Sequence, residues 1–261
     1  MHRLSGWRRI ADAMWGAPND PQIYGSLDVD ATNLASYLSS LRAAGHHVTV
    51  THLVGHALAH AIARVPEINV RLLRGYAVPR RTIDIFFISA VDGGHDLSGV
   101  RVDRANEKSV IAVARELDER ARSQKQGRDP DLARAKRSMQ ALPKSVLRAA
   151  LRVSAFLASD LDLGLRGLGL TPSPFGSAMV SSVGMFGLPT GFAPISWMYR
   201  VPVLLLVGEM SEKPVVVDGN IVARTILPIS ATIDHRYVDG WHVSKLLDGF
   251  KGYLADPRAF A

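Results

Sequence analysis

The chain has 261 residues, 47% of them hydrophobic, enough for a sizeable core in one large domain or two small ones. It contains no cysteine, which excludes disulfides, thiolate nucleophiles and cysteine-ligated metals and suits a reducing cytoplasm. The net charge of +7 is concentrated: from Arg120 to Arg152, ten basic residues stand against only Asp129 and Asp131. No aromatic residue interleaves with that tract and no nucleic-acid motif accompanies it, so nucleic acid is not its expected partner. The start, MHRLSGWRRIADAMWG, carries arginines without a continuous apolar run behind them, unlike a secretory leader. The apolar stretch VPVLLLV at 201 to 207 is too short to span a bilayer, and a soluble globular protein is expected.

The elements follow one another without a repeat. Asp30 or Thr32 is placed to cap a helix whose Leu34, Tyr37, Leu38 and Leu41 recur at helical spacing, ended by Gly45. Thr51 is placed to cap a second, with Leu53, Val54, Ala57, Leu58, Ala61, Ile62 and Val65 on its apolar face, ended before Pro66. IDIFFISAV, 83 to 91, reads as a strand followed by an Asp92-Gly93-Gly94 turn, and Val100 and Val102 mark a short strand. Ser109 caps a predicted helix carrying Val110, Val113, Leu117 and Ala121. A long basic helical tract then runs to about Arg166 and ends in GLGLTPSPFG. From Ser177 the chain is β-rich: SAMVSSV, VPVLLLVGEM, VVVDGNIV with an Asp218-Gly219 hairpin turn, and LPISATID. A last helix covers about Val243 to Tyr253. Neighbouring late strands predict one α+β domain rather than a doubly wound sheet.

Three features invite a chemical reading. His52, His56 and His60 recur every four residues along one helix edge, a spacing compatible with a metal. No acid completes a ligand set and no HExxH pattern is present, so they read as a partly exposed histidine edge and no metal is expected. The glycines of VGMFGLPTG, 183 to 191, lack the lysine and spacing of a phosphate-binding loop and read as a turn that brings backbone close to something else. ATIDHRYVDGWH, 231 to 242, ends an alternating apolar run on a histidine flanked by Asp234 and Asp239. An imidazole beside carboxylates titrates near neutrality and suits a general base, but it equally suits a strand end whose nitrogens are satisfied locally.

Taken in order, SSVGMFG (181 to 187), KPVVVDGNIV (213 to 222) and DHRYVDG (234 to 240) resemble the catalytic domain of dihydrolipoamide acyltransferases. These are the core subunits of 2-oxoacid dehydrogenase complexes, related in fold to chloramphenicol acetyltransferase. RRIADAM near the start, LDVDAT at 27 to 32, THLVGHALAHAIARVPEIN and SVIAVARELDERAR agree in order. The resemblance lapses over about residues 125–172, which reads as a basic helical insertion in a single 1–261 catalytic domain. It implies a chloramphenicol acetyltransferase-like mixed sheet with flanking helices. Several differences stand out: Ser182 follows Ser181 where the family usually has asparagine, and Ala13 stands where members often carry arginine. No lipoyl or small subunit-binding domain is visible, and the closing ADPRAFA lacks the bulky apolar anchor that joins trimers into cubes.

The chemistry implied by the resemblance moves an acyl group between coenzyme A and a thiol such as dihydrolipoamide, with acyl-CoA as substrate and the lipoyl group only in trans. His235 would take the thiol proton, Ser181 would donate to the tetrahedral oxyanion, and Asp239 would hold the loop and the imidazole, with Gly240 permitting the turn. The resemblance also implies a homotrimer, with the catalytic histidine from one subunit and the serine's counterpart around the neighbour's channel. Two other functions fit the family outline: acylation of a small hydroxyl or amine, and a non-catalytic trimeric scaffold. The basic tract at 120 to 152 is expected to dock an acidic carrier or lipoyl domain. A solvated helical insertion and an anionic membrane surface are its alternatives.

Overall fold

The computed structural model describes residues 20–91, 96–125, 143–164 and 171–260. In chain order the elements are β1 (Gln22–Asp30), α1 (Thr32–Ala43), α2 (Val50–Ala63), β2 (Val70–Leu73), β3 (Tyr76–Pro79), β4 (Ile85–Val91) and β5 (Asp96–Val102). There follow α3 (Val110–Lys125), α4 (Lys144–Ala155), β6 (Ala178–Ser182), β7 (Val203–Val207), β8 (Ser211–Val217), β9 (Asn220–Asp234) and α5 (Gly240–Ala255). The RRIADAM stretch, Ala13, the Asp92-Gly93-Gly94 turn, and Arg128, Arg134, Lys136 and Arg137 of the basic tract lie outside the described residues.

Helix faces follow the apolar spacing. Leu34, Tyr37, Leu38 and Leu41 are all buried in α1, and the seven apolar residues assigned to α2 are almost completely enclosed. The cap of α2 sits two residues earlier than expected: Thr49 accepts from the His52 N–H, and His52 Nδ1 accepts from the Thr49 N–H. Ser109 caps α3 as expected, accepting from the Ala112 N–H. Asp30 binds the Thr32 N–H from one residue outside the α1 cap position, Ala31. α5 starts three residues earlier and ends two later than the apolar spacing implied.

The main sheet has the order β1-β9-β7-β6-β4-β5, with β8 pairing the first half of β9. It is mixed: β4–β6 and β6–β7 are parallel, while β1–β9, β7–β9, β8–β9 and β4–β5 are antiparallel. The β8–β9 hairpin turns at Asp218-Gly219, both at positive φ, as the Asp-Gly pair predicts. A second hairpin, β2–β3, turns through Arg74 and Gly75, also both at positive φ. Neither that hairpin nor β1 was anticipated. Arg-Gly is a weak hairpin signal, and β1 is a half-exposed edge strand interrupted by Gly25.

Strand alternation divides the sheet into two faces. Val203, Leu205, Val207, Ala178 and Val180 point to the helices and join the large core. Met179 and Leu204 point away, into a smaller cluster under Phe86, Phe175, Ile195 and Tyr199. α2 lies close on the sheet because Gly55 has no Cβ; one would stand 2.3 Å from the Phe87 ring.

The segment after α4 is tied to this body by arginines. α4 runs into a five-residue π-helical turn, Phe156–Asp160, so helix ends before Arg166. Arg200 donates to Asp160 at 2.8 Å, and Arg71 donates to the Asp160 carbonyl and pairs with Asp162. Arg80 donates to Ser173 Oγ and to the Arg200 carbonyl, and burial brings its pKa down to about 10. No described helix is long and apolar enough to cross a membrane.

Candidate active site

β9 delivers the histidine turn. Its last residue, Asp234, is buried, and its carboxylate accepts from the Arg236 N–H at 3.0 Å and from the Arg236 guanidinium. That pairing holds the Arg236 pKa above its ordinary value, against a smaller opposing effect of burial. The turn is pinned from both sides. Asp234 N–H donates to the Pro202 carbonyl ahead of β7, and His235 N–H donates to the Pro21 carbonyl ahead of β1. Tyr237 and Val238 are buried beneath it, while the His235 side chain faces solvent. The backbone is fixed, and among the described residues no hydrogen bond engages the imidazole.

Asp239 stands at the start of α5. It is the N-cap of α5, accepting from the Trp241 and His242 N–H groups, and its carboxylate lies 2.6 Å from His242 Nδ1. The His242 backbone bond, and then the His242 ring, hold its pKa below the usual carboxylate value. Among the described residues no hydrogen bond joins Asp239 to His235. Gly240 takes no positive φ and has open space where a Cβ would be, so the turn does not require glycine there.

Ser181 lies at the far end of the same sheet. In register it pairs with Leu206, and Leu206 with Ser230, whose hydroxyl meets Thr190 Oγ1 at 3.1 Å. Ser181 shares the face of Met179, away from the helices; Ser182 alternates to the helix side with Val180. The pleat thus separates the two serines that the sequence left adjacent. The glycines beyond them act as expected, through close backbone approach: a Cβ on Gly184 would stand 2.5 Å from the Gly208 carbonyl oxygen.

Ser181 and His235 are not brought together within one chain. His235 is five residues beyond Ser230 and two strands away from Ser181, a separation of roughly 20 Å at ordinary strand rise and spacing. Along the Ser181 face, Tyr24 and its ring neighbour Phe192 are exposed. Beside the histidine turn a cavity of 430 Å³ is lined by Gln22, Trp197, Arg200, Asp234 and Arg236 among others.

The histidines of α2 belong elsewhere. His56 is not part of an exposed edge: it is completely buried, with Nε2 2.7 Å from the Lys108 carbonyl and Nδ1 2.5 Å from the Tyr253 hydroxyl. The carbonyl fixes the proton on Nε2, leaving Nδ1 to accept from tyrosine. Burial brings the His56 pKa down to about 4, partly opposed by the Lys108 carbonyl. Among the described residues no group of histidines and acids is arranged to hold a metal.

A family model described as "2-oxoacid dehydrogenases acyltransferase (catalytic domain)" matches residues 3–131 and 174–261. The chain belongs to this family. A relative in Bacillus subtilis, the dihydrolipoyllysine-residue acetyltransferase component of its acetoin cleaving system, is 24% identical over 98% of this chain and 55% of its own length. The chain spans about half the length of the curated relatives that it matches over nearly its whole extent. The dihydrolipoamide acetyltransferase of Azotobacter vinelandii superposes with a TM-score of 0.65 at 24% identity, covering 93% of this chain and 84% of that one. Its structure was studied for the role of one serine, one histidine and one asparagine in its catalytic mechanism. A chloramphenicol acetyltransferase superposes with a TM-score of 0.51 at 17% identity, over 90% of this chain and 89% of its own. These likenesses establish the mixed-sheet fold expected from the sequence.

Proposed function

We propose that this acyltransferase-family chain transfers an acyl group between coenzyme A and a thiol such as dihydrolipoamide, with His235 and Ser181 supplied by different copies of the chain. The observation that carries this reading is the histidine turn. It presents an exposed imidazole on a backbone pinned by Pro21 and Pro202, four residues before the carboxylate that caps α5. In the Azotobacter enzyme the histidine and asparagine studied for catalysis are also four positions apart. Asp239 supports the site by fixing the start of α5 and hence the exit of the turn.

The chemistry balances without a covalent enzyme intermediate. His235 takes the thiol proton as sulfur attacks the thioester carbonyl, forming a carbon–sulfur bond and an oxyanion. Ser181 donates its hydroxyl hydrogen bond to that oxyanion, a contribution of about 3–4 kcal/mol to the transition state where such donors have been removed. The oxyanion collapses, the original carbon–sulfur bond breaks, and the departing thiolate recovers the proton from the imidazolium. Because Ser181 is far from His235 in its own chain, a closed ring of copies, a homotrimer, would place one chain's serine face against the next chain's histidine turn. The exposed apolar residues around the serine face suit such a contact.

The test is incubation with a panel of acyl-CoAs and free dihydrolipoamide, following thiol-dependent loss of the CoA thioester. Turnover supports the reading. No turnover with any acyl-CoA would favour a non-catalytic scaffold, and turnover only with a hydroxyl or amine acceptor would reassign the acceptor.

A further inference from the structure

We propose that α4 is the docking surface for an acidic helix of the protein that carries the acyl group or its thiol acceptor. The proposal rests on the acyltransferase reading for its purpose, but on the geometry of α4 for its place and chemistry.

α4 has two apolar sides. On one, Leu147 and Leu151 are half-buried and Ala155 is buried. The other carries an exposed stripe: Val146, Ala149, Ala150 and Val153, continued by Phe156. Val146 is 49% exposed and Val153 58%, apolar surface left open on the side away from Leu147, Leu151 and Ala155. Arg148 and Arg152, both exposed and four residues apart, form one edge of that stripe. Among the described residues no carboxylate pairs with either, and no acid occurs between Lys144 and Ser159. Among the described residues this edge is an unneutralised cationic rail.

The base of the helix is held still. Asp160 and Asp162, directly after the π-helical turn, are gripped by Arg200 and Arg71. Arg200 also lines the cavity beside His235. The continuation of α4 thus meets, at Asp160, an arginine that lines the cavity beside the histidine turn. The helix lies in the interval, residues 132–173, that the family model does not match, so the general family scaffold does not account for it.

The chemistry selects the occupant. Alanines at the centre of the stripe allow another helix to approach closely, with valines packing on either side. Arginines spaced four apart fit carboxylates at the same spacing on a facing helix. A second α4 would bring like charges together, and a membrane surface calls for larger apolar anchors than valine and alanine.

The probe is an acidic helical carrier protein bearing a phosphopantetheine thiol, compared with free dihydrolipoamide as acceptor. In Arg148→Glu/Arg152→Glu the KM for the carrier should rise at least about tenfold with kcat little changed, and added salt should raise the wild-type KM in the same direction. Transfer to free dihydrolipoamide should be unaffected, which also shows that the variant is folded. An unchanged carrier KM overturns the proposal. Equal loss with both acceptors overturns it too, placing α4 at the small-molecule channel. Binding of the wild type to phosphatidylserine vesicles, abolished in the variant and without effect of the variant on the carrier, would replace the protein partner by a membrane. If the wild type transfers nothing to either acceptor, the acyltransferase reading fails. Titration of the labelled carrier by fluorescence anisotropy then tests the docking alone, and equal affinity for wild type and variant would overturn it.

Discussion

Two histidine-bearing regions of the molecule, α2 and the turn after β9, use the same side chain in opposite ways. In α2, His56 has both ring nitrogens engaged and no exposed surface, binding α2 to α5 through Tyr253 and to the chain ahead of α3 through Lys108. At the end of β9, His235 is held among the described residues only through its backbone, and its ring faces solvent. The first arrangement stabilises a fold and the second leaves an imidazole available for proton transfer. What distinguishes them is which groups satisfy the ring, a tertiary property that residue type and spacing do not reveal.

Exchanging the two histidines for other residues should separate activity from stability. His235→Ala should reduce transfer by about 10²–10⁴-fold, the range for loss of a general base, with thermal melting unchanged. Activity close to wild type would remove His235 from the mechanism. Ser181→Ala should lower kcat by about 10²–10³-fold with little change in KM, while Ser182→Ala, on the helix side of the sheet, should leave the oxyanion step intact. Damage by Ser182→Ala alone would move the donor one residue along the strand.

His56→Ala should do the reverse. It should cost about 2–5 kcal/mol in denaturant unfolding, from a cavity and from the unpaired Tyr253 hydroxyl and Lys108 carbonyl. The rate of acyl transfer per folded molecule should hardly change. The same residue sets a pH dependence. A folded pKa near 4 against an ordinary 6.5 means that the unfolded chain binds more protons between those values. Stability is fully present above about pH 6.5 and declines as pH falls toward 4, by an amount on the order of 3 kcal/mol. His52 and His60 are lowered by burial as well and act in the same direction, with Arg64 lowering His60 further and Asp118 opposing the shift of His52. His56→Gln should flatten the decline between pH 7 and pH 5, and an unchanged slope would show that other groups dominate it. The smallest effect belongs to Asp239→Ala, which removes a helix cap and should lower the melting temperature by about 2–4 °C, with Asp239→Asn restoring it.

Much of the fold was legible because local patterns decided it. The buried faces of α1 and α2, the Ser109 cap and the Asp218-Gly219 hairpin all follow from spacing and turn chemistry. β1 was not legible, since an edge strand broken by Gly25 lacks a clean alternation. The candidate site was legible as residues but not as geometry. The motif pointed to His235, Ser181 and Asp239 as candidates. Only the register shows that Ser181 and Ser182 face opposite sides, that Asp239 caps α5, and that serine and histidine are separated within one chain. The buried role of His56 depends on Tyr253, 197 residues away along the chain, and no local pattern predicts that meeting.

The central claim is that one active site is completed by two copies of the chain. His235→Ala and Ser181→Ala variants, each inactive alone, should be dissociated together in denaturant, refolded as a mixture and assayed with acyl-CoA and dihydrolipoamide. In randomly mixed trimers, a site joining one chain's histidine to its neighbour's serine is intact with a probability of about one quarter, so activity should recover to about a quarter of the wild-type value treated in the same way. No recovery, in mixtures shown to contain both variants in one assembly, would contradict the account and place the histidine and its oxyanion donor in a single chain.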